Sequence, residues 1–196
     1  MAIRKVRSNA KDTKQLRIQY LTFYNIVFAA LWFTAGITAL IFVSFGSSRF
    51  EIFDEIEPLV RWIQTLTLVE VVHAAVGLVK SPVSTTAIQV FTRVIQVWMI
   101  WYSFPESTAS SQAFLILLLA WSAADSIRYL CLAMNLHGKA PKPLVWLRYT
   151  MFYPLYPIGI GAEWWLMYRS IEPAGKVSPI LPYVWYFLLA LYLPGE

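Results

Sequence analysis

"QAFLILLLAWSAADSIRYLCLAM", residues 112–134, decides what kind of protein this is. It is apolar for long enough to cross a bilayer as a helix, which takes about 17–25 residues. Yet it carries Asp125 and Arg128 well inside the run. Three residues apart, they share one helical face and can pair. A charge at the centre of a bilayer costs about 2.5–3.5 kcal/mol or more, so that face must turn toward other protein. The stretch reads as one helix of a membrane bundle with a polar interior.

Composition points the same way. Of 196 residues 58% are hydrophobic, 16% aromatic and only 14% charged. Soluble domains run at about 45–50% apolar and about 25% charged, so a water-soluble fold of this length could not hide the surplus. The one cysteine, Cys131, excludes an intramolecular disulfide. The net charge of +5 is concentrated: six of the sixteen basic residues (Arg4, Lys5, Arg7, Lys11, Lys14, Arg17) fall in the first seventeen positions. A basic segment before an apolar helix is a topology signal facing anionic lipid, so nucleic acid is not expected as a partner. The segment is too long and polar, and the apolar stretch after it too long, for a cleaved signal peptide.

On either side of 112–134, five further apolar stretches have helical length: 19–45, 58–79, 84–104, 144–168 and 179–193. The expected fold is therefore all-α, a polytopic membrane bundle of about six transmembrane helices around a polar interior cavity. It divides into a basic cytosolic tail, 1–18, and a six-helix transmembrane domain, 19–196. The sixth stretch is short: its fifteen residues span about 22 Å of a hydrocarbon core of about 30 Å. With the N-terminus cytosolic, that side also holds Lys80, Lys139 and Lys142. The other side holds Arg49, Arg169, Lys176 and an acidic group at Glu51, Asp54, Glu55 and Glu57. Six spans return the C-terminus to the cytosol.

The middle helices carry ionisable groups at depth. Glu70, Asp125 and Glu163 stand against Arg93, Arg128 and Arg148, with Gln89 and Gln96 on the third stretch. Polar residues serve either as glue between helices or as the lining of a cavity. So many helices contributing them favours the cavity. Glu70-x-x-His73 resembles a di-iron half-site, but such a site needs a second copy, and the only other histidine is His137, in a loop. No metal is expected, and His73 reads as a hydrogen-bonded core residue. Cys131 lacks the following arginine of a phosphatase loop and reads as a small buried residue.

"RYTMFYPLYPIGIGAEWW", residues 148–165, is the most unusual segment. Pro154 and Pro157 each remove a helical donor, and a kink is expected there. Tyr156 and Glu163 fall about 20° apart around an ideal helix and about 10.5 Å apart along it. Gly159 lies between them. A hydroxyl and a carboxyl then flank a space without a side chain, which a substrate could occupy. Two titratable groups across a gap are what acid–base chemistry requires. The competing reading, small residues for tight helix packing, explains the glycines and leaves Glu163 unaccounted for.

These segments carry a resemblance. "YLTFYN" (20–25) with Trp32, "LVEVVHAAVGLVKS" (68–81), "QVFTRVIQVW" (89–98), "WSAADSIRY" (121–129) and "RYTMFYPLYPIGIGAE" (148–163) occur in matching order over most of the chain. It resembles the very-long-chain (3R)-3-hydroxyacyl-CoA dehydratases, also called the protein-tyrosine-phosphatase-like family. Two departures stand out: Asp125 occupies a position where the family pattern has glutamate, and the chain stops at Glu196 where the family continues into a short basic tail. The resemblance implies a lyase of the endoplasmic reticulum membrane, with both termini cytosolic. It implies removal of water from a 3-hydroxyacyl-CoA in fatty-acid elongation, to give the trans-2-enoyl-CoA. It puts the catalytic pair on Tyr156 and Glu163, and supporting roles on Glu70, Gln89, Arg93, Arg128, Arg148 and Gly159. Lys80, Lys139 and Lys142, with Arg148, are expected near the CoA phosphates. The expected partners are the acyl-CoA substrate, the bilayer and other elongation enzymes; no cofactor is implied. Two alternatives remain: a transporter or channel, disfavoured by the lack of an inverted repeat, and a silent scaffold, disfavoured by the presence of both Tyr156 and Glu163.

Overall fold

The computed structural model describes residues 2–192, and the side chains of residues 12–190. Arg4, Lys5, Arg7 and Lys11 of the basic segment, and the chain end at Glu196, lie outside the described side chains. The elements are α1 (Ala2–Ser44), α2 (Arg49–Leu66), α3 (Leu68–Ala75), α4 (Val83–Ile95), a π-helical segment (Gln96–Tyr102), α5 (Pro105–Ala109), α6 (Gln112–Asn135), α7 (Lys142–Val177) and α8 (Leu181–Tyr192). No strand occurs among the described residues.

Side-chain pairs give the directions. Thr22 meets His137 while Gly36 meets Ser122, so α1 and α6 run antiparallel. Trp121 meets Glu163 and Ser110 meets Arg169, so α6 and α7 do too. Trp185 donates to Ser170 Oγ at 2.6 Å, and Gly175 packs on Pro182, which fixes α8 back along α7. Tyr20 with His73 and Tyr24 with Glu70 set α3 antiparallel to α1. Six helical segments thus alternate in direction. One end of the bundle gathers Lys14, Tyr20, His73 and His137. The other gathers Arg49, Ser110, Gln112 and Arg169.

The core is aromatic. Trp32, Trp101, Phe114, Trp121 and Trp185 are all buried, with Ile56, Val60, Ile63 and Leu117 filling between them. Arg61 pairs with Glu57 at 2.9 Å and lies over the Trp98 and Tyr102 rings, tying α2 to the π segment.

Several expectations need correction. The acidic group at 51–57 is not in a loop. Ser48 caps α2, its side chain accepting from Glu51 N while the Glu51 side chain accepts from Ser48 N, a reciprocal box that starts the helix at Arg49. The second stretch is two helices, α2 and α3, meeting at Thr67. The third ends as π-helix. Pro154, Pro157 and Pro173 all lie within α7, which is continuous from Lys142 to Val177. Pro154 and Pro157 sit on its exposed side, while Gly159, Ala162, Glu163, Leu166 and Met167 on the buried side keep the helix seated. Only two helices among the described residues, Asp12–Ser44 and Gln112–Asn135, are long and apolar enough to cross a membrane by length and composition.

Candidate active site

A continuous chain of charge runs through the bundle. Arg93 on α4 donates to Asp125 Oδ2 on α6. Arg128, one turn along α6, reaches Asp125 Oδ1 at 3.4 Å and Glu70 Oε2 on α3 at 2.6 Å. Glu70 Oε1 accepts from the Tyr129 hydroxyl, and from Tyr24 on α1 at 3.5 Å. Two acids and two arginines from three helices are mutually neutralised, as burial in a low-dielectric interior demands. The spacing of three between Asp125 and Arg128 is what lets one carboxylate serve both arginines.

Glu163 stands beside this chain. It is buried, and Trp121 Nε1 on α6 donates to its Oε1 at 2.9 Å. The same Trp121 ring lies 5.2 Å from the Arg93 guanidinium carbon. The carboxyl is therefore positioned by an indole, with an arginine–aspartate pair as its neighbour. Trp121 escaped the sequence reading because an indole within an apolar run reads as core. Tyr24 and Tyr129 were hidden the same way.

Tyr156 is placed differently. It is 38% exposed, and its ring stacks on Phe152 at 4.6 Å between centroids. The first seventeen residues of α7, 142–158, bury no side chain fully, and burial begins at Gly159. Tyr156 thus sits where α7 leaves the packed bundle and Glu163 where it is packed. Between them, a methyl built on Gly159 would meet nothing within 4 Å, and the same holds at Gly161. Tight helix packing is excluded as the reason for these two glycines. Gly36 is the packing glycine: a methyl there would stand 2.8 Å from Ser122 Cβ.

The other expected residues divide. Glu70, Arg93 and Arg128 are brought together. Arg148 is half-buried, with Nη1 3.9 Å from Cys131 Sγ. Gln89 is exposed on α4 and outside the network. Lys80, Lys139 and Lys142 are exposed, and none pairs with a carboxylate among the described residues. His73 is buried, its Nε2 in hydrogen-bond contact with the Tyr20 hydroxyl at 2.8 Å. A groove of about 590 Å³ lies at the opposite end, between Arg49, Gln112 and Arg169. It shares Gly161 and Ala162 with α7 but includes neither Tyr156 nor Glu163.

Comparison with known proteins gives the kinship. The family described as "Protein tyrosine phosphatase-like protein, PTPLA" matches residues 64–196. A Schizosaccharomyces pombe protein named "Probable very-long-chain (3R)-3-hydroxyacyl-CoA dehydratase" is 39% identical, over 93% of this chain and 88% of its own. The Arabidopsis thaliana very-long-chain (3R)-3-hydroxyacyl-CoA dehydratase PASTICCINO 2 is 35% identical, over 92% of this chain and 87% of its own. Human very-long-chain (3R)-3-hydroxyacyl-CoA dehydratase 2 is 31% identical, over 90% and 70% respectively. No solved structure matches. On the extent and level of these matches, the chain belongs to the protein-tyrosine-phosphatase-like family of very-long-chain (3R)-3-hydroxyacyl-CoA dehydratases.

Proposed function

We infer that this protein is a hydro-lyase that removes water from a (3R)-3-hydroxyacyl-CoA, giving the trans-2-enoyl-CoA in very-long-chain fatty-acid elongation. Family membership supports the reaction. One observation carries the site: a buried carboxyl, Glu163, lies one side-chain-free stretch at Gly159 away from the Tyr156 turn. In the elimination the C2–H bond breaks, its electrons form the C2=C3 double bond, and the C3–O bond breaks. One member of the Tyr156/Glu163 pair takes the C2 proton. The other protonates the departing hydroxyl, which leaves as water.

The membrane reading has its own support. Phe23, Phe33, Trp62, Ile88, Trp146 and Phe187 are among the many large apolar side chains on the outside of the bundle, a surface suited to acyl chains rather than water. The two helices of crossing length and the alternation of six segments support six spans behind a basic N-terminal segment. On this reading the protein sits in the endoplasmic reticulum membrane with both termini cytosolic. The acyl tail enters beside the loosely packed first turns of α7, with CoA phosphates near Lys80, Lys139, Lys142 and Arg148. Other enzymes of elongation are its proposed neighbours. Incubating the purified protein with (3R)-3-hydroxyacyl-CoAs of several chain lengths, and separating products by chromatography, tests the reading. Enoyl-CoA is expected; its absence at every length in both detergent and liposomes overturns it.

A further inference from the structure

We propose that Trp121 is a positioning residue for the dehydration, holding the Glu163 carboxyl in its reacting orientation through the indole N–H. The proposal rests on the reading of Glu163 as one of the two proton-transferring groups. Trp121 is 3% exposed, and its one polar atom donates to Glu163 Oε1 at 2.9 Å. The ring that carries this donor is held by aromatic and cationic contacts. Trp101 stacks on it at 5.4 Å with 26° between planes, and Trp32 meets it edge-on at 6.2 Å. The Arg93 guanidinium lies over it, and that guanidinium is itself fixed by Asp125. An indole held this way cannot turn, so its N–H points in one direction, and a carboxyl bonded to it loses free rotation about its last torsion.

The π-helical segment has a part in this. A π turn inserts an extra residue into a helix, and such turns recur at functional sites. Here it carries Val97, Ile100 and Trp101 into the core together, and so delivers the ring that stacks on Trp121. A phenylalanine at 121 would fill most of the same space. What it would lack is the donor.

The test is a double-mutant cycle on purified, folded protein, with a (3R)-3-hydroxyacyl-CoA as substrate. Trp121→Phe keeps a ring in the stack and deletes the N–H. Its kcat per folded molecule is expected to fall about 10- to 100-fold with KM within about 2-fold, the scale on which misplacement of a reacting group acts. In a Glu163→Gln background the same change is expected to alter the rate by less than about 2-fold, because Trp121 acts through a group no longer working. Trp185→Phe removes another buried indole, one that donates to Ser170 rather than to Glu163, and calibrates packing: it should lower thermal stability while leaving kcat unchanged. A Trp121→Phe variant with wild-type kcat overturns the proposal, and so do equal fold-losses in the two backgrounds. Wild-type protein that forms no enoyl product overturns the underlying reading and the proposal with it. An active wild type with an unaffected Trp121→Phe variant overturns the proposal alone.

Discussion

At Gly36 an added methyl would meet Ser122 Cβ at 2.8 Å across the seam between α1 and α6, while at Gly159 it would meet nothing within 4 Å. The two substitutions therefore separate packing from chemistry. Gly36→Ala forces two long helices apart and should destabilise by about 1–3 kcal/mol, read as a lower melting temperature in detergent. Gly159→Ala should leave melting unchanged while filling substrate space, so turnover should fall roughly 10- to 100-fold. Equal melting and normal turnover for Gly159→Ala would mean that the gap is not where substrate lies. The sequence marks both positions only as glycine. Which one is packed depends on Ser122, 86 positions from Gly36 along the chain, and such a contact leaves no local trace. The polar inventory was more legible. Acids and arginines within apolar runs are costly enough that their inward orientation follows from type alone. Their partners did not follow, nor did Trp121, whose polar atom is invisible in any hydrophobicity pattern.

Elements tell a similar story. The six apolar stretches all became helices because length and apolarity dominate that choice. Capping was readable too, since Ser48-x-x-Glu51 is a start signal, yet the apolar stretch counted from 58 left these residues outside the helix. The π segment was not readable: one extra residue in a turn carries no composition signature. In α7 the prolines suggested a break in geometry, yet the helix is continuous through Pro154 and Pro157, both on its exposed side, while the opposite side is packed against α6. The element-scale prediction concerns α4 and α6, joined through Arg93 and Asp125. Arg93→Ala removes the closer of two arginine partners from a carboxylate that is 3% exposed, leaving it Arg128 at 3.4 Å. Losing half of a buried pair costs about 3–5 kcal/mol, and the 31% exposure of the Arg93 side chain lowers this to roughly 1–3 kcal/mol. Exposed Lys142→Ala should cost far less. Folded yields measured side by side check this, and equal yields would mean that Asp125 is sustained by Arg128 alone.

For the whole molecule, the alternation of six helical segments gathers Lys14 and His137 at one end and Arg49 and Arg169 at the other. The proposed cytosolic placement of the basic segment predicts that the turn at 45–48 and the link at 178–180 face the lumen and that the turn at 136–141 faces the cytosol. A glycosylation acceptor inserted at either of the first two should be modified, and one inserted at the third should not. Sites inside 51–57 would be poor reporters, since Ile52, Phe53 and Ile56 are buried in α2. Modification at 136–141 would reverse the orientation.

Tyr156 and Glu163 are proposed to perform one elimination together, and enoyl-CoA formed per folded molecule is the measurement that decides it. Tyr156→Phe keeps the ring and its stack on Phe152; Glu163→Gln keeps the volume and an acceptor for Trp121. Each should lower turnover by about 10²–10⁴-fold, and the double variant should fall little below the slower single one, as groups acting as a unit are not additive. If either single variant, corrected for its folded fraction, turns over at the wild-type rate, that residue is outside the chemistry and the account of this site is wrong.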